Sequence, residues 1–149
     1  MTTREQIAAA ARGWIGTPYH HQASVKGVGC DCLGLIRGLW RELLGDEPEA
    51  MPAYTRDWGD VTGSEPLLAA ARRNLTPIAP GLARPGDILV FRMQAGVAKH
   101  AGIVTEYLHD EPARFVHAVE DLGVTEVALT RWWRRRVEAA FSFPNIASC

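Results

Sequence analysis

Sulfur and imidazole chemistry gathers at a few positions in this chain. The stretch Gly29-Cys30-Asp31-Cys32-Leu33-Gly34 opens an apolar run in which Leu35, Leu39 and Leu43 recur at i, i+4 and i+8, with Ile36 and Trp40 beside them. That spacing predicts a helix with one buried face. Asp31 fits the N-cap, which puts Cys32 in the first turn. There the unpaired backbone N–H groups and the positive end of the helix dipole favour thiolate over thiol. Cys32 is therefore a candidate nucleophile. The bland alternative is a small buried hydrophobe at the edge of an apolar helix.

A sulfur nucleophile needs a base, a group that orients the base, and donors for the oxyanion. His100 opens an apolar strand after Gln94-Ala95-Gly96-Val97-Ala98-Lys99, so its ring can stand at the end of a sheet. His117 alternates with Val116 and Ala118, and a polar ring on so apolar a strand needs a hydrogen-bond partner. Taken singly, each has a structural alternative, a strand-edge histidine and a satisfied core histidine. A hairpin turning at His109-Asp110-Glu111-Pro112 would set Tyr107 opposite Arg114 and Val104 opposite His117. His100 and His117 then share a face but stand four positions apart, about 13 Å at strand rise. A bulge near Gly102, or a longer loop, would close that gap.

The elements that position these groups follow from period and punctuation. Thr2 or Thr3 caps a first helix, with Glu5 or Gln6 as the capping-box partner, and Ile7, Ala10, Ala11 and Trp14 give its apolar face. Gly16-Thr17-Pro18-Tyr19 is a turn presenting an aromatic hydroxyl, and His20 and His21 follow as solvated loop residues. Residues 46–63 read as a long connection, and Ser64-Glu65-Pro66 opens a further helix through Leu75. Arg84-Pro85-Gly86-Asp87 then turns into a series of short strands, at 88–91, 100–107, 114–119, 124–129 and 137–143. Helices first and antiparallel strands after make an α+β domain, one unit over residues 1–149.

Composition narrows the function classes. The 149 residues are 47% hydrophobic with a formal net charge of −1, which gives no pull toward nucleic acid or an anionic membrane. No apolar run is long enough to span a membrane, and Met1-Thr2-Thr3-Arg4-Glu5-Gln6 lacks the apolar core of a secretory signal. Three cysteines, two of them one residue apart, argue against a disulfide framework and fit synthesis in a reducing compartment. Cys30, Cys32, His100 and His117 as zinc ligands would need Cys-x-Cys where a two-residue spacer is usual, so no metal or other cofactor is expected. Trp132-Trp133-Arg134-Arg135-Arg136 reads as a turn with packed indoles, or as a surface for a protein partner or an anionic glycan.

In order along the chain, Gly16-Thr17-Pro18-Tyr19, Asp31-Cys32-Leu33-Gly34-Leu35, Arg84-Pro85-Gly86-Asp87, His100-Ala101-Gly102-Ile103-Val104 and Phe115-Val116-His117-Ala118 resemble the motifs of the NlpC family of papain-like cysteine peptidases, which cut bacterial cell-wall peptides. The Cys-Asp-Cys-Leu-Gly segment is most similar to the small phage-type and gene-transfer-agent members. The resemblance implies a papain-like fold, N-terminal helices packed on an antiparallel five- to six-stranded sheet. It implies Cys32 as nucleophile, His100 as general base and His117 as its orienting residue. Tyr19 and the backbone N–H of Cys32 would serve the oxyanion, and Asp31 would meet the free amine of a substrate peptide. The implied substrate is a peptidoglycan stem peptide, cut between D-glutamate and a diamino acid. The implied partners are tail or baseplate proteins of a phage-like particle, which would carry the chain to the wall. The alternatives are a structural tail component with an idle site and a cytoplasmic wall-peptide recycling peptidase. Two positions depart from the common pattern: Leu33 stands where many members have serine, and Gln22-Ala23 where many have paired glycines.

Overall fold

The first helix begins where its cap dictates. A computed structural model describes residues 2–49, 66–93 and 98–146. Thr3 Oγ1 accepts from Gln6 N, and Gln6 Oε1 accepts from Thr3 N, a complete capping box that starts α1 at Arg4–Arg12. A small hairpin, β1 (Ser24–Val25) and β2 (Gly29–Cys30), follows and feeds directly into α2, Cys32–Leu43. This hairpin was not expected, being too short for a periodicity to register. Helix α3 spans Pro66–Asn74; its expected cap at Ser64 and Glu65 lies outside the described residues, as do most of the 46–63 connection, residues 94–97 and Cys149.

The strands are β3 (Thr76–Ile78), β4 (Ile88–Arg92), β5 (Ala98–Leu108), β6 (Glu111–Val119), β7 (Gly123–Ala128) and β8 (Val137–Ser142), with a short helix α4 at Arg131–Arg134. They form one six-stranded sheet in the order β3-β8-β4-β5-β6-β7, every neighbouring pair antiparallel. The α+β architecture and the strand count match the expectation; β3, at one edge, is the strand it lacked. Leu33, Leu35, Ile36 and Leu39 of α2 pack with Ile7, Trp14, Leu67 and Leu68 against Ile88, Val90, Ala101, Ile103 and Val116. Each such fully buried aliphatic side chain contributes about 1.5–3 kcal/mol. The opposite face of the sheet carries Leu89, Phe91, Val104 and Phe115, covered by Leu129 and Trp133.

The hairpin between β5 and β6 is tighter than expected. His109 and Asp110 have φ of 52° and 61°, the left-handed pair of a two-residue turn. Tyr107 therefore faces Pro112, Val104 faces Phe115 and Ile103 faces Val116, a register two residues from the expected one. One step further, Gly102 comes opposite His117, and His100 is two positions away, about 7 Å along the strand. Neither a bulge at Gly102 nor a longer loop closes the gap; a shorter turn does. Pairing between the two strands stops at Ile103 and Val116, although β5 runs back to Ala98 and β6 on to Val119.

Candidate active site

Cys32 is the first residue of α2, and the cap beneath it is built from one carboxylate. Asp31 Oδ1 accepts from Gly34 N at 2.7 Å and Oδ2 from Gln22 N at 2.7 Å, with the residue 2% exposed. His21 Nδ1 stands 3.9 Å from Asp31 Oδ2, so His21 is a neighbour of the cap and not the solvated loop residue expected. Gln22 holds φ of 65°, a left-handed backbone that favours glycine, at the place where the resemblance has glycines. Its N–H bond to Asp31 holds it there. Gly34 admits no side chain, since a Cβ would lie 1.9 Å from the carbonyl oxygen of Ala23. The loop before the nucleophile and the first turn after it are thus locked together.

The sulfur sits where β5 loses its partner. Backbone N–H groups of Ala101 and Leu33 donate to it, which puts the thiol against the residue next to His100. His100 lies on β5 with its Nε2 2.8 Å from Nδ1 of His117 on β6. The expected shared face is observed, and both rings lie on the side of the sheet that carries Phe91, Phe115 and Trp133. With Nε2 turned to His117, Nδ1 is the His100 nitrogen that can take a proton. His117 is buried at 3% exposure.

Electrostatics run against the helix-dipole expectation. Burial, and then the Asp31 carboxylate, push the Cys32 thiol up to about 12, outweighing the donors that pull it down. Burial, and then the neighbouring His117, push His100 down to about 3, and burial pushes His117 down to about 4. The resting pair at neutral pH is a thiol and an uncharged imidazole. For His100 to keep a basic Nδ1, its Nε2 carries the proton and donates to His117 Nδ1. Neither a standing thiolate nor a standing imidazolium is set up, so chemistry at Cys32 starts from the protonated thiol.

The remaining expected residues are placed less closely. Tyr19 is bridged through its backbone to Cys30, two residues before Cys32, with its half-buried ring against the helix-side core. Asp31 acts as cap and loop tie. Cys30 is fully buried, its thiol pushed up to about 12 by burial and by Asp31. Sequence reasoning missed Trp133, whose indole stacks on His100 with ring centroids 5.7 Å apart and planes at 30°. Only its place among packed indoles had been legible. Among the described residues no group of three or more His, Cys, Asp or Glu side chains is arranged to hold a metal. An apolar hollow of about 70 Å³ between α2, α3 and the sheet is lined by Leu33, Ile36, Leu67, Ala71 and Ala101, on the helix side of the sheet.

No protein-family model matches the sequence, and no curated protein aligns with it significantly. Solved structures do match. The NlpC/p60 domain of the peptidoglycan hydrolase SagA aligns with a TM-score of 0.61 at 22% identity, over 95% of this chain and 100% of that one. NlpC2 from Trichomonas vaginalis gives 0.63 at 18% identity, over 94% of this chain and 46% of that one. A lipoprotein-like NLP/P60-family protein from Staphylococcus aureus gives 0.58 at 23% identity, over 97% and 42%. The chain spans less than half the length of the latter two. With its capped cysteine helix laid on an antiparallel sheet, this chain has the fold of the NlpC/P60 domains.

Proposed function

We propose that the chain is a cysteine peptidase that hydrolyses a stem-peptide amide of peptidoglycan. The observation that carries the reading is the Cys32 sulfur held by the N–H of Ala101, the residue that follows His100, whose Nε2 is bonded to His117. SagA, whose domain shares the fold, is a peptidoglycan hydrolase. In the proposed reaction His100 Nδ1 takes the thiol proton as sulfur attacks the amide carbon. The backbone N–H of Cys32 and the Tyr19 hydroxyl receive the oxyanion, and Asp31 supports the free amine of the peptide. The imidazolium returns its proton to the leaving amine, giving a thioester. Water, deprotonated by His100, then releases the acid and restores the thiol.

Delivery on a phage-like tail, with the bond between D-glutamate and a diamino acid as target, extends the reading and rests on the Cys-Asp-Cys-Leu-Gly resemblance. The test is Cys32→Ala on purified sacculi, with released peptides read by mass spectrometry. Loss of every fragment with the fold intact is expected, and undiminished release overturns the assignment. Activity on free peptides but not on sacculi would select the recycling peptidase instead. The raised pKa of the Cys32 thiol favours one further reading, a tail component with an idle site; iodoacetamide labelling as slow as that of an unactivated thiol, together with inert sacculi, would select it.

A further inference from the structure

The side chain in closest ring contact with both imidazoles belongs to neither the helix nor the hairpin. Trp133 stacks on His100 at 5.7 Å and 30°, and meets His117 edge-on at 5.1 Å and 89°. Phe91 and Phe115 close the other sides, 5.0 and 5.1 Å from the indole. The short helix that carries Trp133 is fastened to β6: Arg134 Nη2 donates to Pro112 O at 2.7 Å, and Leu129 N to Ala113 O at 2.8 Å. Outside it, Trp132 packs edge-on against Trp133 at 4.8 Å and carries the Arg136 guanidinium on its face at 3.6 Å. The indole is a fixed plate, braced from behind.

We propose that Trp133 is a positioning residue for the dyad: its indole fixes the plane of the His100 ring and keeps water from the bond between His100 and His117. This rests on the peptidase reading for its consequence in turnover. The physical case stands on geometry alone. A ring stacked on one face and bonded at one nitrogen has lost both of its easy rotations, so Nδ1 stays aimed. A bond roofed by apolar rings is stronger than the same bond in water, because no water competes for Nδ1 of His117. Two effects oppose each other in the free protein. Shielding disfavours an imidazolium, whereas an indole face attracts one. The depressed ionisation of both rings says that shielding wins.

The test is ring-proton titration of His100 and His117 by NMR in the wild type, Trp133→Phe and Trp133→Leu, beside steady-state turnover of a stem peptide. In W133L the His100 midpoint should rise by about one pH unit or more. In the same variant kcat should fall roughly 10- to 100-fold with KM within about twofold, because aim is lost while binding is not. W133F keeps a flat ring, so it should recover most of kcat with a smaller rise; it reads the effect if W133L fails to fold. A His100 midpoint that stays put or falls in the folded variant overturns the proposal, as does a loss confined to KM. Titration does not depend on turnover, so a Cys32→Ala result against the peptidase reading leaves this one separately decided.

Discussion

At the scale of single residues, Cys32 is governed by two opposed fields. The helix terminus and two backbone donors favour the thiolate; burial and one carboxylate oppose it more strongly. Asp31 is therefore both the cap that places the thiol and a brake on its ionisation. Asp31→Asn should label with iodoacetamide several-fold faster than wild type at pH 8, because removing the charge lowers the thiol's pKa. Its stability should fall by about 1–3 kcal/mol, because the Asn Oδ1 still caps Gly34 N while its Nδ2 cannot accept from Gln22 N. An unchanged labelling rate in the folded variant would show that the charge is not felt at sulfur. The residue types were legible in the sequence: a cysteine after a capping acid, and histidines alternating with apolar neighbours. The sign of the thiol's shift was not, because it depends on how deeply the helix tip is buried, and no local pattern records that. His21 and Trp133 were hidden for a similar reason, since their partners lie 10 and 33 residues away, at Asp31 and His100.

At the scale of elements, the dyad depends on a turn of two residues and a strand position without a side chain. Had the hairpin closed over four residues, as the sequence suggested, the imidazoles would stand twice as far apart along the strand. The acid-rich stretch His109-Asp110-Glu111-Pro112 did not announce which two residues would take positive φ, and the wrong choice moved the register by two. The shared face survived the error because a two-residue shift preserves strand parity. Gly102 should tolerate no replacement: a Cβ would lie 2.6 Å from the Phe115 ring and 3.0 Å from the Val116 carbonyl oxygen. Gly102→Ala is expected to cost about 1–3 kcal/mol in urea unfolding. Its turnover should fall further than that loss explains, because the displaced Phe115 ring lies 4.6 Å from His117. Wild-type kcat in the folded variant would contradict this.

At the scale of the whole molecule, the neutral histidine pair ties stability to pH. Both rings ionise below the ordinary histidine value in the folded state, so acid favours the unfolded chain, which binds their protons first. Their contribution is complete above about pH 6.5 and is lost as pH falls toward 4 and then 3. Urea unfolding at pH 5 should show roughly 1–2 kcal/mol less stability than at pH 7, discounted for the partial exposure of His100. The double variant His100→Asn/His117→Asn should show a markedly flatter profile, and an equal drop in that variant would locate the titration elsewhere. The fold class was readable because helices and strands occupy separate halves of the chain. The order of strands was not, since the connection from β7 to β8 carries no signal of where it leads.

That order has a consequence for how the protein comes into being. β8, made last, slots between β3 and β4, made long before it, and Asp87 at the head of β4 holds both Arg4 of α1 and Ser142 of β8. A nascent chain that has already emerged past Cys32, His100 and His117 still has an open seam in the middle of its sheet. The same stretch supplies Phe141 and Phe143 to the core behind the helix. Closure of the sheet on which His100 and His117 stand is thereby deferred until β8 has emerged.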